Sequence, residues 1–182
     1  DHEKAKLGEQ VFLRACAECH GEYGAKESYP ERVVPIDVIG TDPVRLNALS
    51  AAQRRSYGDS WFAHFGKKAL VESPEGYVAP PLDGVWATAP YFHNGSAPTL
   101  RGVLFPEERP TVWRRRSSEY DQINLGLDVE TFIEIPAEVT DQRERREYYD
   151  VRQFGKGNQG HDFPSVLTEE EREQLLEYLK TL

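Results

Sequence analysis

The sequence predicts a mainly α protein, and the two ends of its 182 residues carry that prediction. Residues Glu3–Ala15 repeat apolar side chains with the period of an amphipathic helix. Residues 168–171, Thr-Glu-Glu-Glu, form a capping box that opens a final helix with an apolar side. The stretch at about residues 57–160 predicts a long, loop-rich insertion with one short hairpin. We expect one domain over residues 1–182.

The first helix leads directly into a haem-attachment motif. Gly8, Phe12 and Cys16 recur every four residues, so that Gly8 would let another helix approach closely and Phe12 would pack over the edge of a bound group. The next residues read Cys-Ala-Glu-Cys-His, in which Cys16 and Cys19 form thioethers to a porphyrin and His20 binds the iron. A zinc site would need further cysteines, and the chain has two. The motif therefore predicts one covalent haem c.

The middle of the chain contains a few recognisable elements. A helix is predicted over Val44–Ser56, N-capped by Asp42. Thr99–Phe105 predicts one or two helical turns, and Val129–Ile135 alternates in the way typical of an edge strand or hairpin arm. The basic run Arg114–Arg116 is predicted to lie in a loop, with its charges in solvent.

The second axial ligand cannot be a methionine of this chain, because the chain contains none. We favour His161, since the three glycines before it would let the backbone run close to the porphyrin and Asp162 or a carbonyl would orient its ring. His93 is an alternative ligand, or else a histidine that lines the pocket beside Trp86. His64 is a further alternative, or else a core histidine between two phenylalanines. A weaker ligand or an open site also stays possible on the sequence.

Several segments resemble haem proteins of known families. The terminal helices around C-x-x-C-H resemble the class I cytochrome c fold, in which both helices pack around a covalent haem. Residues 86–96, Trp-Ala-Thr-Ala-Pro-Tyr-Phe-His-Asn-Gly-Ser, resemble a segment of the C-terminal haem domain of di-haem cytochrome c peroxidases and rubber oxygenases. That resemblance implies that His93 lines the pocket without binding iron. The stretch that ends at His161 is similar to the distal-histidine segment of the rubber oxygenases, which implies bis-histidine ligation.

The chain departs from those relatives because it has a single C-x-x-C-H motif. What remains resembles the cytochrome domains of secreted multi-domain proteins from cellulolytic bacteria, which are proposed to donate electrons to lytic polysaccharide monooxygenases. This resemblance implies that the chain is a monomer or one module of a larger secreted protein.

Two functions follow from these predictions. A bis-histidine, low-potential haem favours outer-sphere electron transfer, whereas a labile or open distal site would favour a peroxidase-like enzyme. The formal charge of -9 argues against nucleic acid and favours a redox partner with a basic patch. No apolar run reaches the roughly 20 residues of a membrane span, which predicts no membrane insertion. The attachment chemistry implies a periplasmic or secreted location.

Overall fold

The computed structural model describes residues 1–25, 27–61 and 73–182. The α-helices within these ranges are α1 (His2–Ala15), α2 (Ala17–His20), α3 (Ile36–Ile39), α4 (Val44–Asn47), α5 (Ala51–Gly58), α6 (Leu100–Leu104), α7 (Gln142–Arg145) and α8 (Glu169–Leu179). The strands are β1 (Val33–Pro35), β2 (Gly76–Val78), β3 (Val112–Asp121), β4 (Gly126–Phe132) and β5 (Tyr148–Asp150). None of the helices in this part of the chain is long and apolar enough to cross a membrane.

The predicted mainly α class is wrong, because the described residues form two antiparallel sheets beside the helices. Strand β1 pairs with β2, and β3 lies between β4 and β5 in a three-stranded sheet. Arg114, read from the sequence as loop charge, lies in β3, where it pairs with Glu130 at 2.9 Å and its guanidinium lies 4.9 Å over the ring of Tyr148. Cross-strand partners of this kind stabilise a charged strand, and they are distant in sequence.

The local predictions inside the insertion have different outcomes. The strand expected at Val129–Ile135 is confirmed as β4, although β4 ends at Phe132, and the turns expected at Thr99–Phe105 are confirmed as α6. The helix expected over Val44–Ser56 is instead broken into α4 and α5. The break occurs because Ser50 forms a capping box with Gln53 and starts a new helix.

The terminal helices α1 and α8 pack against each other. A Cβ atom on Gly8 would overlap the main-chain carbonyl of Gln174 and lie 2.9 Å from Cβ of Tyr178, so only glycine permits this approach. Phe12 from α1 and Leu175 from α8 are fully buried in the core beside the contact. The capping box at the start of α8 is present as predicted. This helix pair fixes where α1 ends and therefore where the C-x-x-C-H motif begins.

Candidate haem-binding site

The C-x-x-C-H motif folds as one helical turn directly after α1. The amide of Cys16 donates to the carbonyl of Phe12 at 2.8 Å, and α2 begins at the next residue. The side chain of Cys16 packs against the core. Burial, with a smaller contribution from Cys19, raises the pKa of the Cys16 thiol to about 12. This apolar setting suits an uncharged thioether and disfavours the thiolate that a metal-binding or nucleophilic cysteine requires.

The ring of His20 is oriented by a main-chain carbonyl. Its Nδ1 atom lies 2.8 Å from the carbonyl oxygen of Pro80, and because that oxygen only accepts, Nδ1 carries the proton. Burial lowers the pKa of His20, which favours the neutral ring. A neutral imidazole protonated on Nδ1 presents a lone pair on Nε2. His20 is thus prepared as a metal ligand with a defined direction.

The ring of His161 lies near the ring of His20. Their ring centres are 6.3 Å apart, with the ring planes at 63°. An imidazole nitrogen binds a first-row metal at about 2.0–2.1 Å and lies roughly 1.1 Å from its own ring centre, so two imidazoles on opposite sides of one metal have ring centres about 6.2–6.4 Å apart. The observed separation therefore fits two axial ligands of one iron, although 141 positions separate the two residues in the sequence.

The His161 ring is held neutral and its backbone is strained. Burial is the main cause that lowers its pKa to about 4, and the charges of His20 and Arg109 add to it. Its φ of 53° lies in the left-handed region, which costs a non-glycine residue on the order of 1–3 kcal/mol. The amide of His161 donates to the carbonyl of Ile39 at 2.7 Å, and this bond helps to hold the strained conformation.

Aromatic side chains surround the distal histidine. The ring of Phe163 lies 5.5 Å from the ring of His161 in a T-shaped contact, and that of Phe92 lies 6.1 Å away. Phe12, predicted to cover the haem edge, is fully buried between Tyr23 and Tyr178, at ring distances of 5.8 and 5.3 Å. Phe12 thus belongs to the core against which Cys16 packs.

The other predicted pocket residues make no ring contact with His20 or His161 among the described residues. His93 stacks on Tyr77 with ring centres 4.4 Å apart, and its Nε2 atom is buried without a hydrogen-bond partner among the described residues. The ring contact with His20 comes from His161 and not from His93 in this part of the chain. Trp86 lies on a short 3₁₀ turn with 45% of its surface exposed. His64, the third candidate ligand, lies outside the described residues.

Residues Gly155–His161, which we call the distal loop, are fixed by hydrogen bonds from distant side chains. Asn94 Nδ2 donates to the carbonyl of Gly157 at 2.8 Å, and Asp42 Oδ2 accepts from its amide at 3.0 Å. A Cβ atom on Gly160 would overlap the backbone at Gly40 and Thr41, so this glycine allows two main chains to touch. The sequence interpretation expected the glycines to approach the porphyrin, and at Gly160 the structure shows a backbone contact.

Sequence reasoning missed the residues that support this loop. In the sequence Asn94 stands out only as part of the motif at residues 86–96. Asp42 is recognisable only as a helix cap, which it also is, since its Oδ1 accepts from the amide of Val44 at 2.8 Å. Arg109 belongs to no motif in the sequence. Its one signal in the sequence is an arginine between Glu108 and Pro110, in a stretch with no helical or strand period.

These residues fit a haem. Within the described ranges no group of three or more His, Cys, Asp or Glu side chains could hold a metal ion by itself. The pair formed by His20 and His161 would provide two nitrogen ligands, and a tetrapyrrole would supply the other four of a six-coordinate iron. The expectation that Asp162 or a carbonyl orients the His161 ring is wrong, because its buried Nδ1 atom has no hydrogen-bond partner among the described residues.

The chain is similar to known haem proteins in its central part. The family model described as "RoxA-like, cytochrome c-like" matches residues 76–114, which include Pro80, His93 and Arg109. This match indicates a cytochrome c-like domain. It supports a haem cofactor and a haem-based redox or electron-transfer role.

Two curated relatives match over the full length of this chain. They are the uncharacterized proteins y4iM and y4iJ of Sinorhizobium fredii, at 30% and 28% identity. The chain spans 49% of the first and 39% of the second, so it matches half or less of each relative.

Proposed function

We propose that this chain is a single-haem electron-transfer domain with bis-histidine ligation. The observation that carries the proposal is the 6.3 Å separation of the His20 and His161 ring centres, which fits two axial ligands of one iron. The orientation of His20 by Pro80 and the neutral state of His161 support the same assignment. When bound, the haem supplies a one-electron ferric/ferrous couple.

The chain's own residues explain why this site favours electron transfer over catalysis. Two strong nitrogen ligands leave no vacant position for peroxide or oxygen. A site with fixed ligands on both sides also changes little in geometry when the iron changes oxidation state. With no methionine in the chain to raise the potential, we expect a low reduction potential for a c-type cytochrome.

Covalent attachment is the second part of the proposal. Cys16 and Cys19 would form the two thioethers, and the single turn of α2 places His20 directly after them. The uncharged, core-packed environment of Cys16 supports a thioether at that position. Such attachment takes place outside the bacterial cytoplasm, so a periplasmic or secreted location belongs to the same proposal.

The redox partner of this chain is proposed from the chain's net charge and from its resemblance to secreted cytochrome domains. A chain with a formal charge of -9, to which two haem propionates add, favours a redox protein with a basic docking surface. The resemblance to secreted cytochrome domains extends the proposal to a lytic polysaccharide monooxygenase as electron acceptor. Phe163, 43% exposed and in ring contact with His161, provides an apolar route from the ligand to the surface.

Visible and paramagnetic resonance spectra of the purified haem protein test this proposal. We expect low-spin iron in the ferric and ferrous states, and a ferrous spectrum that does not change within the mixing time when carbon monoxide is added. A high-spin ferric fraction, or carbon monoxide binding within the mixing time, would overturn bis-histidine ligation. That outcome would support the peroxidase-like alternative, since it requires an accessible iron.

A further inference from the structure

Arg109 carries a buried guanidinium whose charge is only weakly neutralised. Its side chain is 4% exposed, and the carboxylate that pairs with it, on Asp162, lies 3.6 Å away and is itself 63% exposed. Burying a charge without a close counter-ion is costly, because the charge loses its hydration. Burial accordingly lowers the pKa of Arg109. The hydrogen bonds that Arg109 makes must therefore offset the cost of burying its charge.

Those hydrogen bonds join two separate segments of the chain. Nε donates to the carbonyl of Gly102 at 2.8 Å and Nη2 to that of Val103 at 3.4 Å, so the guanidinium is attached to α6. Nη1 donates to the carbonyls of Asn158 and Gly160 at 2.8 and 2.7 Å. Because a guanidinium is planar and its donors have fixed directions, these bonds fix the distance and orientation of the distal loop relative to α6.

Arg109 also lies close to the distal ligand. Its guanidinium lies 4.9 Å over the ring of Phe92, and that ring is 6.1 Å from the ring of His161. Its Nη1 atom donates to the carbonyl of Gly160, the residue directly before His161, at 2.7 Å. A buried positive charge at this distance favours whichever haem state carries less positive charge, which is the ferrous state.

We propose that Arg109 is a positioning residue for axial ligation: it holds the turn at residues 158–160 so that His161 stays opposite His20, and its charge raises the reduction potential of the haem. This inference rests on the proposed bis-histidine ligation. It gives Arg109 two roles that can be tested separately. The fixed directions of its guanidinium donors hold the loop in place, and its charge raises the reduction potential of the haem.

The test compares R109M and R109K with the wild-type holoprotein. R109M removes the charge and every donor, whereas R109K keeps the charge and replaces the fixed fork with a flexible ammonium. R101M is the matched control, because Arg101 lies in α6 but binds Glu108 and Glu173 and makes no hydrogen bond to the distal loop. The measurements are the rate of carbon monoxide binding to the ferrous protein and the midpoint potential.

We expect carbon monoxide to bind to both Arg109 variants about tenfold faster than to the wild type, or more, because loss of charge-assisted hydrogen bonds frees the distal loop. The midpoint potential should fall in R109M and stay near the wild-type value in R109K. R101M should match the wild type in both measurements. If R109M yields no folded holoprotein, the carbon monoxide binding rate of R109K, compared with that of the wild type, tests the positioning role.

Wild-type carbon monoxide rates in the Arg109 variants would overturn the positioning role, and so would an equal acceleration in R101M, since that would reflect general loosening. An unchanged potential in R109M would overturn the electrostatic role. Failure of the proposed function is distinguishable: it appears in the wild type itself, as high-spin iron or rapid carbon monoxide binding.

Discussion

The hydroxyl of Tyr149 donates a hydrogen bond to the main-chain carbonyl of Asn94 at 3.0 Å. Tyr149 lies in β5, and its ring stacks on Trp113 of β3 with ring centres 5.0 Å apart. Asn94 in turn donates from its side chain to Gly155 and Gly157 in the distal loop. The three-stranded sheet therefore supports the loop that carries His161, which gives the long insertion a role at the candidate site.

Replacing Asn94 with alanine should loosen the distal loop. The variant leaves two carbonyls of the loop without their donor, so we expect a loss of about 1–3 kcal/mol in the free energy of unfolding and faster carbon monoxide binding to the ferrous protein. Asn124→Ala is the control, since Asn124 donates to Asp121 in the turn between β3 and β4. Equal carbon monoxide rates in the two variants would contradict the assignment.

The contact between α1 and α8 predicts that Gly8 tolerates a larger residue less well than Gly102, a helical glycine outside the contact. Gly8→Ala should lower the free energy of unfolding by about 1–3 kcal/mol, because the added methyl group overlaps the backbone at Gln174. Gly102→Ala should leave stability unchanged or raise it, since its nearest neighbours would lie at 3.6 and 3.9 Å. Denaturant unfolding of the holoprotein measures both. A Gly8→Ala variant as stable as the wild type would refute the tight helix contact.

Removal of the distal histidine should change the spin state of the iron. His161→Ala is expected to convert a low-spin ferric spectrum into a high-spin or water-bound one, because the sixth ligand is lost. His93→Ala should keep the low-spin spectrum, since His93 stacks on Tyr77 and makes no ring contact with His20. A low-spin spectrum that survives in His161→Ala would move the assignment to His93 or His64.

Covalent attachment predicts how the haem behaves after denaturation. Acidified acetone should leave the haem on the wild-type chain and on His161→Ala, because thioether bonds do not depend on folding or on axial ligation. A Cys16→Ala/Cys19→Ala double variant that binds haem should release it under the same treatment. Mass spectrometry of the denatured chains makes the comparison, and haem released from the wild type would exclude thioethers.

The net charge predicts a salt dependence of electron exchange with small reagents. Oxidation of the ferrous protein by a cationic cobalt complex should slow as ionic strength rises, whereas oxidation by ferricyanide should accelerate. The formal charge of -9 attracts the first reagent and repels the second at low salt. Stopped-flow rates measured from about 0.01 to 1 M salt cover the range in which the Debye length falls from about 30 to 3 Å. Identical trends for the two reagents would show that charge does not govern access to the haem.

Several sequence predictions that depend on neighbouring residues are confirmed, whereas the predicted fold class, which depends on residues far apart in the sequence, is not. The capping box of α8, the helical turns of α6 and the strand signal within β4 depend on neighbouring residues, and the structure confirms them. The mainly α class was wrong because β3 is stabilised by pairing with β4 and β5. Its charged run from Arg114 to Arg116 shows no alternation of its own.

The sequence by itself determined the motif of Cys16, Cys19 and His20, the exclusion of methionine ligation and the two terminal helices, because each is local or compositional. Only the tertiary structure decided that the ring of His161 lies 6.3 Å from the ring of His20. Only it showed that the buried Arg109 donates hydrogen bonds to the loop that carries His161. Such pairings depend on how a long insertion packs. No short-range pattern in the chain encodes the meeting of side chains more than a hundred positions apart.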